Sequence, residues 1–355
     1  MHLRARALVA AFVNGQQSPE RFDTLALDLA VFQAEFAPGF ARLCKARGVD
    51  LAALTNASEI PAVPTDAFKL TRVSTFDSAE PQTVFRTSGT TADRRGEHFV
   101  HELATYDSAA VAFGKRWLAR DLEARCPVLV LSPSPEESPD SSLVHMCELF
   151  ARAWGEGEPR FFVEDGVIDL SMLDQAVTLA EARRQPVVVL GTSFAFVHLL
   201  DALGEASFTL PQGSRVMQTG GFKGKSREVP AESLRADLAR VFGIPAHAIV
   251  SEYGMTELSS QFYEQTLFEP GLPHGIYAEP PWARVEPVDP ETLAAVAPGK
   301  VGIAKIIDLM NVDSAVAVLT QDRVRRVPLG FELLGRLPGA PPRGCSIAID
   351  ELLGR

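Results

Sequence analysis

The feature that most limits how this chain can fold is a set of short apolar runs. Each ends at glycine or hydroxyl residues, and helical stretches separate them. Pro186-Val187-Val188-Val189-Leu190 runs into Gly191-Thr192-Ser193, Arg215-Val216-Met217 opens onto Gly220-Gly221, and Ile249-Val250 opens onto Tyr253-Gly254. Continuous apolar runs between helices fit strands of a parallel sheet covered on both faces. Sheets of that kind bind ligands at the loops beyond their strand ends. Pro127 to Leu131 reads as a further strand, with helices around residues 103–122, 143–154, 172–184 and 232–241.

The pattern differs at the two ends of the chain. Residues 1 to about 60 read as helices, with Leu25, Leu29, Phe32 and Phe36 spaced for one buried face. From Trp282 the text turns to short strands at Val301 to Ile307 and Ala315 to Leu319. The expectation is an α/β protein in three parts: a helical region over 1–80, an α/β core over 81–281 and a β-rich subdomain over 282–355. At 355 residues and 46% hydrophobic, the chain can bury a large core.

Composition removes several classes of function. A formal charge of -11 argues against nucleic acid as a partner. The four cysteines lack Cys-x-x-Cys spacing and the seven histidines form no ligand cluster, so neither a zinc site nor a disulfide framework is expected. No apolar run approaches the ~20 residues of a membrane span. The start, Met1 to Val13, reads as an amphipathic helix rather than a secretory leader, because Asn14-Gly15 ends it without a small-x-small cleavage site. A cytoplasmic enzyme is expected.

The chemistry concentrates in Phe85-Arg86-Thr87-Ser88-Gly89-Thr90-Thr91. Four hydroxyl donors surround Gly89, whose missing side chain lets backbone amides turn towards an anion. Arg94 and Arg95 follow and offer cations to a polyphosphate. A second motif, Ser251-Glu252-Tyr253-Gly254-Met255-Thr256-Glu257, places a hydroxyl and a carboxylate two and three residues after an aromatic-glycine pair.

Together these motifs resemble the adenylate-forming superfamily of acyl-CoA synthetases, peptide-synthetase adenylation domains and luciferases. The resemblance implies that Thr87, Ser88, Gly89, Thr90 and Thr91 form the phosphate loop, and that Arg95 neutralises charge in the transition state. By the same likeness Tyr253 and Gly254 border the adenine, Thr256 meets the α-phosphate and Glu257 holds magnesium. Thr320-Gln321-Asp322 resembles the family's Thr-Gly-Asp, so Asp322 is expected on the ribose, with Gln321 replacing the usual glycine. Leu334-Gly335-Arg336 resembles the segment before the interdomain hinge, which assigns Arg336 to the ribose or the hinge.

The segments Gln218 to Glu228 and Ile249 to Gln261 narrow the likeness to the acyl-protein synthetase branch. Its best-known member is the fatty acid activating subunit of the bacterial luminescence fatty acid reductase. The implied fold is the family's N-terminal domain, with stacked mixed sheets flanked by helices and a small β-rich subdomain. Only 19 residues follow Arg336, so the usual mobile C-terminal domain is expected to be truncated. A cation must then replace that domain's lysine. Lys223 is the first candidate and Lys225 the second, in the loop of Gly220 and Gly221 that the likeness places beside the nucleotide.

In the luminescence synthetases a cysteine near the C-terminus accepts the acyl group, and Cys345 stands at a matching place, with Arg343 as a nearby cation to lower its pKa. A thiolate suits that step, because its thioester keeps much of the anhydride's activation. Cys44, Cys126 and Cys147 read as buried. Phe194, Phe196 and Val197 are read either as lining for an acyl channel or as plain core. His198 reads as a buried histidine rather than a base, and His98 and His101, just after the phosphate loop, as slightly better candidates for touching substrate.

The expected activity is ATP- and Mg2+-dependent activation of a carboxylic acid, of the fatty class, as acyl-adenylate. Transfer follows to Cys345 and then to a reductase or carrier protein. Two alternatives stand beside it: direct delivery to a carrier protein or coenzyme A, and a non-catalytic scaffold subunit.

Overall fold

A computed structural model of the chain describes residues 1–80, 83–88, 94–220, 229–339 and 341–355. In chain order the first part holds α1 (His2–Val13), α2 (Phe22–Phe36), α3 (Pro38–Ala46), β1 (Val63–Pro64), α4 (Ala67–Leu70), β2 (Thr83–Arg86), β3 (Glu97–Val100) and α5 (Leu103–Gly114). The middle holds β4 (Val128–Leu131), α6 (Ser142–Trp154), β5 (Arg160–Phe161), β6 (Val163–Glu164), β7 (Val167–Ile168), α7 (Leu170–Arg183), β8 (Val188–Thr192) and α8 (Ser193–Leu203). Then come β9 (Arg215–Thr219), α9 (Ala231–Phe242), β10 (Ile249–Tyr253), β11 (Phe262–Glu264), β12 (Ile276–Ala278), β13 (Ala283–Val288), β14 (Val301–Asp308), β15 (Ala317–Val327), β16 (Gly330–Arg336) and α10 (Arg343–Leu353). The architecture is mixed α/β, as the alternation of apolar runs and helices predicts.

The chain forms two compact units, one of residues 1–112, 255–262 and 275–355, the other of 113–254 and 263–274. The second is built on parallel strands in the order β10-β9-β8-β4-β5. Ile249 lies beside Val216, Val188 beside Arg215, and Val128 beside Val188. Strands β4, β8, β9 and β10 are buried along most of their length, which is why they read as apolar without alternation. Helices α7, α8 and α9 cover the sheet through Leu173, Val177, Phe196, Leu199, Leu238 and Phe242. Side-chain caps start three of the helices: Ser141 on α6, Asp169 on α7 and Thr192 on α8.

The first unit is antiparallel where its sheet is longest, in the order β13-β14-β15-β16-β12, with β1 added parallel to β15. Helices α2 and α10 both pack on α3. Leu25 and Leu29 are buried as expected, but Phe36 is exposed and Phe32 only half-buried, their rings 5.0 Å apart. The fully buried position on that turn is Gln33. Its amide donates to the carbonyls of Asn311 and Val312 and accepts from Val316 N–H, so a polar residue takes the inward place without an unmet hydrogen bond.

Candidate active site

The first motif lies at a two-stranded turn. Strands β2 and β3 pair antiparallel, with Phe85 opposite His98 and Arg86 opposite Glu97. Beyond the strands, Thr87 N–H donates to Gly96 C=O, and Thr87 Oγ1 accepts from Gly96 N–H at 2.9 Å. Arg95 Nε donates to the Thr87 carbonyl at 2.6 Å, and its Nη2 reaches the Arg86 carbonyl. Arg95 therefore closes the neck of the hairpin with its guanidinium. Ser88 is exposed. Gly89, Thr90 and Thr91 lie outside the described residues, as do Gly221, Lys223 and Lys225.

His98, only a slight candidate from the sequence for touching substrate, is buried with both ring nitrogens engaged. Nδ1 lies 2.6 Å from the Thr256 carbonyl and Nε2 2.9 Å from Ser314 Oγ. A carbonyl only accepts, so the proton sits on Nδ1, and in the neutral ring Nε2 accepts from the Ser314 hydroxyl. Burial pushes the imidazole pKa down to about 4. His101 is exposed, and its backbone N–H donates to Asp313 Oδ2.

Thr256 and Glu257 lie in a turn closed by the bond from Leu258 N–H to Met255 C=O. Glu257 is buried, and its carbonyl accepts from Asn311 Nδ2 at 2.9 Å. Two residues on, Ser259 N–H and Ser260 Oγ donate to Asp308, whose carboxyl is pushed up to about 6 by burial against those same hydrogen bonds.

Asp322 and Arg336 are cross-strand partners on β15 and β16. Thr320-Gln321-Asp322 runs inside β15 rather than through a turn. Gln321 donates to Asp66 Oδ2 at 2.8 Å and accepts from Arg336 at 3.4 Å.

In the parallel unit, Gly220 follows β9 with φ +70°, a left-handed conformation that suits glycine. Ser193 Oγ donates to its carbonyl at 2.8 Å. Tyr253 is buried at the end of β10, with Gly254 immediately beyond the strand. A side chain at Gly254 would run into Glu252 Oε1. Glu252 is itself buried, accepts a hydrogen bond from Thr219 Oγ1, and has its carboxyl pushed up to about 7 by burial.

Phe196 and Val197 are core residues of α8, with Phe194 packed against that cluster. His198 is exposed rather than buried, because α8 turns Ala195, Phe196, Leu199 and Leu200 inward. Cys44, Cys126 and Cys147 are buried. Cys345 is also buried, in the first turn of α10. Burial pushes its thiol up to about 11, Asp66 adds to the rise, and the cation that opposes it is Arg47 rather than Arg343. Arg42 and Arg47 tie α10 down through the Leu352 carbonyl and Glu351. Beside it, Ser346 and Asp66 line an open depression of about 430 Å³.

The profile of the acyl-protein synthetase family LuxE matches residues 10–353. The chain belongs to that family. Its LuxE relatives include the long-chain-fatty-acid–luciferin-component ligase of Aliivibrio fischeri, 21% identical over 318 residues, or 84% of this chain and 80% of the relative. The Vibrio harveyi ligase of the same name is 19% identical over 328 residues, covering 88% and 82%. An open conformation of 2-hydroxyisobutyryl-CoA ligase, in complex with 2-HIB-AMP and CoA, shares the fold at a TM-score of 0.62 and 12% identity, over 88% of this chain and 73% of that one. Among the described residues no helix is long and apolar enough to cross a membrane.

Three polar side chains that shape the Thr256–Glu257 turn escaped sequence reasoning: Asn311, Asp308 and His98 in its actual role. Asn311 and Asp308 sit in no recognisable motif. Glu252 carried a signal, an acid immediately before the aromatic-glycine pair, at a strand end where burial was expected.

Proposed function

We propose that this protein activates a carboxylic acid, of the fatty class, with ATP and Mg2+ and passes the acyl group from acyl-adenylate to a thiol. One observation carries the reading: the family match over residues 10–353 takes in all four motifs and Cys345. The names of the two Vibrio-type relatives, which are ligases of long-chain fatty acids, support the substrate class.

The carboxylate oxygen attacks the α-phosphorus and the bond to the bridging oxygen breaks, so pyrophosphate leaves with that electron pair. Thr87, Ser88, Gly89, Thr90 and Thr91 with Gly220 and Gly221 receive the phosphates, and Arg95 and Lys223 meet their charge, an electrostatic task. Thr256 contacts the α-phosphate. Tyr253 and Gly254 flank the base, while Asp322 and Arg336 serve the ribose. The donor set suits magnesium held with a nucleotide. Among the described residues no group of three or more His, Cys, Asp or Glu is placed to hold a metal ion. Glu257, the acid of the second motif, would supply its protein carboxylate, and the ion would neutralise phosphate charge there.

Transfer to Cys345 requires α10 to leave its seat on α3, because the thiol is buried and protonated where it stands. That burial favours a second reading, in which an external thiol on a carrier protein, or coenzyme A, takes the acyl group directly.

Acid-dependent exchange of labelled pyrophosphate into ATP across fatty and aromatic acids tests the activation step. Exchange with fatty acids that vanishes in Glu257→Gln is expected, and no exchange with any acid overturns the reading. Mass spectrometry after incubation with acid and ATP separates the acceptors: an adduct lost in Cys345→Ser marks the first, and an unmodified active protein the second.

A further inference from the structure

Two consecutive carbonyls, those of Thr256 and Glu257, each receive a hydrogen bond from a buried neutral side chain on a distant part of the chain. His98 Nδ1–H reaches the first at 2.6 Å across 158 residues, and Asn311 Nδ2 reaches the second at 2.9 Å across 54. Both donors are anchored in turn. His98 Nε2 accepts from Ser314 Oγ. The second Nδ2 hydrogen of Asn311 is directed to the Ala315 carbonyl at 3.1 Å, and Gln33 donates to the Asn311 carbonyl at 2.7 Å. Asn311 Oδ1 is buried with no hydrogen-bond partner among the described residues, so this amide is used for its donors.

We infer that His98 and Asn311 are positioning residues that fix the main chain at Thr256 and Glu257 and thereby aim the hydroxyl and the carboxylate of the second motif. The inference rests on the proposed roles of Thr256 at the α-phosphate and Glu257 at magnesium. The argument is geometric. A carbonyl pinned on one residue leaves the neighbouring peptide planes free to rotate. Pinning two successive carbonyls fixes the two peptide planes that meet at the Glu257 Cα, and with them the direction of its Cα–Cβ bond. His98 also stands opposite Phe85 on the hairpin that leads into Thr87 and Ser88. One imidazole therefore holds the first motif's hairpin to the second motif's turn. Both donors are neutral, so they orient the carboxylate without adding a charge beside it.

The test uses a pair of substitutions that divide the ring's two bonds. An asparagine at 98 places an amide N–H near the Nδ1 position and keeps the donor to Thr256; a glutamine reaches the Nε2 position, keeping Ser314 and losing Thr256. Hydrogen exchange of the free protein is read on the peptide spanning 254–260, where Leu258 and Ser259 N–H are hydrogen-bonded. In His98→Gln and Asn311→Ala the protection of those amides is expected to fall about tenfold more than that of amides in the sheets, and in His98→Asn to stay near wild type. In pyrophosphate exchange, kcat of His98→Gln is expected to fall about 10- to 100-fold with the acid KM unchanged, and His98→Asn to recover most of it. Unchanged protection in His98→Gln, or equal loss in the Asn and Gln variants, overturns the inference. An inactive wild type would count against the proposed activity, and the exchange of free amides would still decide the positioning role.

Discussion

In the parallel-sheet unit a buried charged pair ties a strand to a helix, whereas in the antiparallel unit the turn at Thr256 and Glu257 is held largely by neutral donors. Arg235 on α9 and Glu264 on β11, 3% and 1% exposed, meet at 2.8 Å, and Glu264 also accepts from Ser251 N–H. Arg235 reaches the Ile249 carbonyl as well. That pair locks the strand that carries Tyr253 to the helix behind it. Around Thr256 and Glu257 the donors are an imidazole and an amide. A charged pair holds strongly but depends on both members, because either alone is a costly buried charge. Neutral donors each contribute less, yet several can converge on one turn without repelling one another.

The largest effect that sharpens this contrast is expected at Arg235→Met. It leaves Glu264 buried without its counter-ion, and a loss of about 3–5 kcal/mol in chemical denaturation is expected. The double change with Glu264→Leu should recover much of that loss. If Arg235→Met costs no more than about 1 kcal/mol, a typical net hydrogen bond, the unit is not held by the pair and the contrast collapses.

Glu252 lies in the parallel unit yet behaves as a neutral group, and it gives a pH-dependent test. An unfolded carboxyl ionises near 4.5, whereas burial holds the folded one protonated to about 7. The native state binds the extra proton between those values, so the stability that Glu252 contributes is full below pH 4.5 and is lost as pH rises through 7. Glu252→Gln keeps an acceptor for Thr219 and does not ionise. Its stability relative to wild type is expected to rise by about 3 kcal/mol between pH 5 and pH 8, since each pK unit is worth about 1.4 kcal/mol. A flat difference across that range would mean the carboxyl is hydrated.

How much of this was legible depended on whether the cause is local. The apolar runs at Val188 and Val216 announced parallel strands because burial on both faces acts residue by residue. The motif at Tyr253–Glu257 was legible for the same reason, its residues being neighbours in sequence. The inward place of Gln33 was not, because what satisfies it lies some 280 residues away at Asn311, Val312 and Val316. His198 was misread because the helical spacing around Phe196 fixes which positions face inward only once the sheet side is known. Gln321 stands where the resemblance expects glycine, and only the pairing of its neighbour Asp322 with Arg336 shows that the segment is strand. Cys345 was read correctly as a thiol near the end of the chain, but its burial under Arg42 and Arg47 contacts depends on α3, some 300 residues earlier.

The smallest expected effect tests whether charge or the neutral ring anchors the hairpin of the first motif. Arg86 Nε and Glu97 Oε1 meet at 3.0 Å across β2 and β3, with side chains 38% and 28% exposed. The next position on β3 is the buried His98. Water competes for the exposed pair and salt screens it, so Glu97→Gln should cost less than about 1 kcal/mol and lose even that at high ionic strength. Pyrophosphate exchange should be unchanged, because the glutamine leaves the ring and its two bonds in place. If Glu97→Gln instead slows exchange as much as His98→Gln does, the hairpin is held by its charges, and the imidazole merely fills the space beneath them.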